Sequence, residues 1–138
     1  MIKEITQFIA NKAGLTRDTD IFAGHRLVDT ADECDVILET AGGTAYFDLP
    51  ERADIVIQVL SRAKTYFDAR TRAYVIYDAI FRNWEYGSAG WKIGPVVPGG
   101  DEYQIMTITP LAIPQWAGLD EKKRFEFSTN YVFRIKKL

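Results

Sequence analysis

The chain has 138 residues, of which 47% are apolar, 26% charged and 13% aromatic. That is enough apolar material for one core in a single domain, 1–138, and it lies far from the composition of disordered chains. A single cysteine, Cys34, excludes an intramolecular disulfide and points to a reducing compartment. No run approaches the ~18 apolar residues of a membrane span, and "MIKEITQFIANKAG" lacks the uninterrupted apolar core of a signal peptide, so a soluble protein made in the cytoplasm is expected. The net charge of −2 is unevenly spread. From Asp29 to Asp54 eight acids stand against Arg52 alone, a local net of −7, whereas from Asp120 onward six bases and three acids leave +3. Nucleic-acid readers carry a dominant basic footprint, which is missing here. Acidic and basic regions of neighbouring copies could instead pair.

In chain order, Ile2, Ile5, Phe8 and Ile9 fall at helical spacing and Gly14 stands where a left-handed residue would end the helix, predicting a helix over 2–13. "DIFAGHRLVD" (20–29) and "CDVILET" (34–40) read as an antiparallel strand pair joined by "DTADE". "AGGTAYFDLPE" (41–51) reads as a loop, punctuated by two glycines and a proline. "RADIVIQVLSRA" then places Ile55, Ile57 and Val59 on one face with Val56 and Leu60 on the other, as an interior strand does. Thr65 to Asn83 reads as the longest helix, capped by Thr65 with Asp68, carrying Asp68/Arg72 and Asp78/Arg82 pairs, and packing a stripe of Tyr66, Ala69, Ala73, Ile76, Tyr77 and Ile80.

The segment 86–102 is rich in glycine and proline and is expected to protrude as an exposed, hairpin-like arm, so that loss of 87–100 would spare folding and harm assembly. "EYQIMTITPLAIPQW" resumes strand character, with Tyr103, Ile105, Thr107 and Thr109 on one side, until Pro110 and Pro114 interrupt it. "AGLDEKKR" reads as a solvated turn. The last strand holds a period of two for twelve residues, pointing Phe125, Phe127, Thr129, Tyr131, Phe133 and Ile135 one way. The order of elements predicts an α+β fold: a mixed or antiparallel sheet with an N-terminal helix and one long helix packed on it.

Candidate chemistry is sparse. His25 and Cys34 could form a nucleophilic pair, but no helix N-terminus or glycine turn is present to activate the thiol, and a core cysteine with a surface histidine is the commoner outcome. One histidine and one cysteine cannot supply a zinc site, and the acids of 29–54 do not follow calcium-loop spacing. Gly42 and Gly43 lack the lysine and hydroxyl residue of a phosphate loop, so a turn is the better account. Asp120, Glu121 and Glu126 could be paired carboxylates, but their mixed-sign setting favours solvent. The aromatic side of the last strand could stack bases, but a core-facing strand needs the same residues. No catalytic, cofactor-binding or metal-ligating residue is assigned.

Taken together, "ANKAGL" after a short helix, "ILETAGG", "IVIQVLSRAKTYFDARTRAYVIYDAI" and "GLDEKKRFEFSTNYVFRIKK" resemble the tailed-bacteriophage minor capsid proteins of the tail-terminator, or head-tail joining, group. The resemblance covers most of the chain in order. It implies a non-enzymatic virion protein of the phage tail and neck, present in the host cytoplasm during assembly and needing no cofactor or membrane. Its partners would be copies of itself in a ring, commonly a hexamer, together with the tail tube protein and the head connector or completion proteins. DNA would pass through the ring without being read. On the polar side of the last strand, Arg124, Glu126, Asn130, Arg134 and Lys136 are the expected subunit contacts. The alternatives are another neck or head-completion protein, or a small enzyme whose site gathers dispersed acids with Arg52, Arg62 or Arg124.

Overall fold

Ile5, Phe8 and Ile9 are buried on one stripe of the first helix, α1 (Ile2–Ala13). The helix stops at Gly14, whose φ of 70° and ψ of 32° suit a residue without a Cβ and let its N–H donate back to the Ala10 carbonyl. In the computed structural model, residues 1–24, 31–45, 51–82 and 91–138 are described. The fold is α+β. Among the described residues seven strands form one mixed sheet: β1 (Ile21–Ala23), β2 (Cys34–Ala45), β3 (Arg52–Ala63), β4 (Trp91–Ile93), β5 (Tyr103–Pro110), β6 (Gln115–Leu119) and β7 (Phe125–Lys137). Their order is β1-β2-β3-β7-β5-β4, and β6 also pairs with β7. The second helix, α2 (Tyr66–Tyr77), runs into a π-helical turn, Asp78–Arg82.

The two long strands with the clearest patterns occupy the middle of the sheet. β3 and β7 pair antiparallel along their whole length, from Arg52 opposite Lys136 to Ala63 opposite Phe125. That register puts Ile55, Ile57 and Val59 beside Phe133, Tyr131 and Thr129 on the face the helices cover, and all six are buried. Phe8 of α1 meets Phe133 edge-on at 6.4 Å, joining the helix layer to the central strand. At the other end of the sheet Ala69 and Ala73 bring α2 close over Ala63 and Phe127. Thr65 caps that helix, its hydroxyl accepting from the Asp68 N–H at 3.2 Å.

Several expectations are corrected. β1 pairs parallel with β2, from Ile21 opposite Asp35 to Ala23 opposite Ile37, so the two strands run the same way and cannot be joined by a tight hairpin turn. Residues 25–30, with His25, lie outside those described. β2 does not stop at Thr40: it runs through Gly42 and Gly43 to Ala45, and register shifts after Glu39 and Ala41 absorb the irregularity while pairing with β3 continues. Only 46–50 of the expected loop lie outside the described residues. Arg72 does not turn to Asp68; its guanidinium donates to Asp35 of β2 at 2.7 Å, where a buried carboxylate needs a cation more than an exposed one does.

The exposed arm is corrected too. Ile93 of β4 is buried in the core, opposite Tyr103 of β5, so deleting 87–100 would remove a core residue as well as a loop. Elsewhere in the described part of that segment Lys92, Gly94, Pro95 and Val97 to Gly99 are exposed, Gly99 turning at a φ of 76°. In β5 a register shift between Ile105 and Thr107 breaks the strict alternation, so Tyr103, Ile105 and Ile108 point inward and Thr109 outward. β6 lies between Pro114 and the following turn, in a segment expected to be mostly turn.

Candidate assembly surface

Strand alternation makes the two faces of β7 unlike. The helix side takes the aromatic residues, and Glu126, Asn130, Arg134 and Lys136 share the opposite face, where β3 sets Arg62, Gln58, Asp54 and Arg52 directly beside them. The structure therefore brings four of the five expected contact residues onto one broad polar face. Arg134 is half-exposed there, donating through Nε and Nη2 to the two oxygens of Asp54 at 2.9 and 3.2 Å.

Arg124 is placed differently: it precedes β7 and is 4% exposed. The reason is Asp120, four residues earlier, whose carboxylate accepts from the Lys122 and Arg124 N–H groups and from Arg124 Nε at 2.8 Å. Arg62, also buried, approaches the same carboxylate at 3.5 Å and donates through Nη2 to the Ala31 carbonyl at 2.6 Å. Arg124 and Lys64 each lie 3.3 Å from Asp32. "DEKKR" is thus solvated only at Glu121, Lys122 and Lys123; its outer members close an ion cluster tying the β6–β7 turn to β3 and to the approach to β2.

That cluster also revises the charge asymmetry. Asp32, Asp35 and Asp54 of the acidic stretch are matched within the chain by Arg124 and Lys64, by Arg72 and by Arg134, while Lys137 meets Asp101 at 3.0 Å. Much of the acidic and basic imbalance is therefore satisfied inside one copy, by strands that are distant in sequence and adjacent in the sheet. Among the described residues the exposed charges include Glu33, Glu39 and Glu51 of the acidic stretch and Lys122 and Lys123 of the basic one.

Burial works to raise the pKa of Asp120, but the hydrogen bonds from Arg124 and the Lys122 N–H outweigh it and hold the carboxyl below its ordinary value. Lys64, then Arg124, lower Asp32 as well. A depressed pKa in the folded state means that Asp120 adds stability above the unfolded aspartate value of about 4, and that this is lost as pH falls through the folded value. Unfolding free energy measured from pH 6 to pH 2 is expected to fall less steeply in Asp120→Asn than in the wild type; equal slopes would contradict the assignment.

A second surface was not anticipated. β6 is an edge strand: among the described residues it pairs with β7 alone. Its register sets Trp116 opposite Phe127 and Leu119 opposite Phe125, on the helix side of the sheet. Tyr66 of α2 packs edge-on against Phe127, at 5.1 Å between ring centroids, and against Phe125, at 6.3 Å, and Phe67 stands against Tyr66 at 5.3 Å. Tyr66, Phe67, Phe125 and Phe127 form one aromatic cluster, and at this end of the sheet Phe67, Tyr66, Trp116 and Leu119 are all exposed, an apolar ledge. Large exposed apolar patches of this kind mark interaction sites. No protein-family model matches the chain, and no curated protein matches its sequence. No described helix is long and apolar enough to cross a membrane. Cys34, half of the candidate nucleophilic pair, is wholly buried.

The signal for the ledge was present in "PQWAGL", where two large apolar residues three apart follow a proline. It is legible only once β6 is seen to run beside β7.

Proposed function

We propose that this chain is a structural subunit of a phage tail that assembles with copies of itself as a ring on the head-proximal end of the tail tube, ends tube growth and joins tail to head. The observation that carries the assembly part of this reading is the aromatic ledge beside an open sheet edge. A large uncovered apolar surface at the end of a hydrogen-bonding edge is suited to a partner that supplies both apolar contact and backbone pairing. The tail-terminator part rests on the resemblance of its segments, in order, to that group. The polar face carrying Glu126, Asn130, Arg134 and Lys136 supplies a second, weaker contact surface, which fits a subunit with neighbours on more than one side.

The test is electron microscopy of particles made by the encoding phage with and without this gene. Overlong tails, or tails without heads, are expected in its absence. Normal virions would overturn the proposal, and tails of normal length beside unjoined heads would assign the protein to head completion instead.

A further inference from the structure

We infer that an ordered internal water is bound between α2 and the sheet, held by the hydroxyls of Ser61, Thr129 and Tyr131. This goes beyond the assembly reading and does not depend on it. Along β3 and β7 the face under the helices is apolar except at these three residues, of which Ser61 and Tyr131 are 0% exposed and Thr129 3%. The register groups them: Ser61 stands opposite Phe127, Val59 opposite Thr129 and Ile57 opposite Tyr131. Ser61 is therefore one diagonal step from Thr129, and Thr129 is two residues from Tyr131 on the same face. The core divides at this place. Ile57, Val59 and Tyr131 belong to the main apolar cluster, whereas Ala63 and Phe127, with Ala69 and Ala73 of α2, form a separate one. Ser61 and Thr129 lie on the seam between the two.

A hydroxyl offers one donor and two acceptor positions, and burying it without a hydrogen bond is costly. Among the described residues no protein group completes a hydrogen bond to any of these three hydroxyls. The nearby backbone is already committed, because β3 pairs through this stretch with β2 on one side and β7 on the other. Burial pushes the pKa of the Tyr131 phenol up, and its oxygen lies within electrostatic reach of Thr129, Tyr77 and Asp78, where α2 gives way to the π-helical turn. A buried water needs two to four polar partners, and it can accept from two hydroxyls while donating to a third oxygen. Three neutral hydroxyls suit water better than a metal ion, and among the described residues no group of three His, Cys, Asp or Glu side chains could hold one. An apolar guest would leave the hydroxyls unbonded.

The experiment is a crystal structure of the full chain at a resolution that shows ordered solvent, paired with urea unfolding of variants that delete one hydroxyl at a time. Density for a water within hydrogen-bond distance of at least two of the three hydroxyls is expected. Thr129→Val keeps the shape of the side chain and should raise the unfolding equilibrium constant about tenfold, the size of one or two lost hydrogen bonds, and Ser61→Ala should do about the same. The two together should raise it by less than the product of the single effects, because both act on one water. A seam without that density, or with the three hydroxyls bonded to protein groups alone, would overturn the inference. So would Thr129→Val as stable as the wild type, or a double variant whose effect equals the product of the two.

Discussion

Asp120→Ala is expected to lower the unfolding free energy by about 3–5 kcal/mol, the range for removing one partner from a buried ion pair. Without this carboxylate, Arg62 and Arg124, 2% and 4% exposed, would face each other with one acid fewer between them, and two N–H groups of the β6–β7 turn would lose their acceptor. Against the ~5–15 kcal/mol of a typical domain this is a large fraction. Urea unfolding should show it as a lower midpoint with an unchanged slope. Arg134→Ala is the control: its bond to Asp54 has good geometry, but its side chain is 46% exposed, so the expected loss is about 1 kcal/mol or less. Equal losses from the two would mean that the cluster does not anchor the turn.

Phe133→Ala is expected to cost about 3–5 kcal/mol through the cavity it leaves. Phe133 is fully buried at the centre of β7, with Ile55 across one ladder, Ile108 across the other and the Phe8 ring edge-on above it. Its neighbour Val132 points to the polar face and is half-buried, so Val132→Ala should cost only about 1 kcal/mol. The contrast between adjacent residues tests the register of the central strand directly. A double cycle of Phe133→Ala with Phe8→Ala should show a coupling of about 0.5–1.5 kcal/mol, the worth of an aromatic pair beyond area burial. Similar losses at 132 and 133 would mean that the register is wrong.

What was legible in the residues was whatever repeats locally. β3 and β7 hold a period of two long enough for pattern and burial to agree, and α1 carries both its stripe and its stop at Gly14. The aromatic residues of β7 line the core, as its alternation required. Gly42 and Gly43 misled because glycine punctuation is a local preference, and pairing of Thr44 and Ala45 with Asp54 and Ala53 overrides it. The inward turn of Ile108 depends on a single register shift near Met106, which alternation alone cannot reveal. Asp120 and Arg124 looked like a solvated turn because their partner Arg62 is 58 residues away from Asp120 and meets it only across the sheet. The ledge was hidden for the same reason: Tyr66 and Trp116 belong to different elements, and what they share is Phe127, against which Tyr66 packs and opposite which Trp116 stands in the ladder.

The most direct test of the terminator reading is electron microscopy of purified tail tubes, still able to elongate, mixed with the purified chain. A ring of density at one end of each tube, with elongation stopped, is the predicted result. Chain bound along the tube wall, or tubes that keep growing with both ends bare, would contradict it.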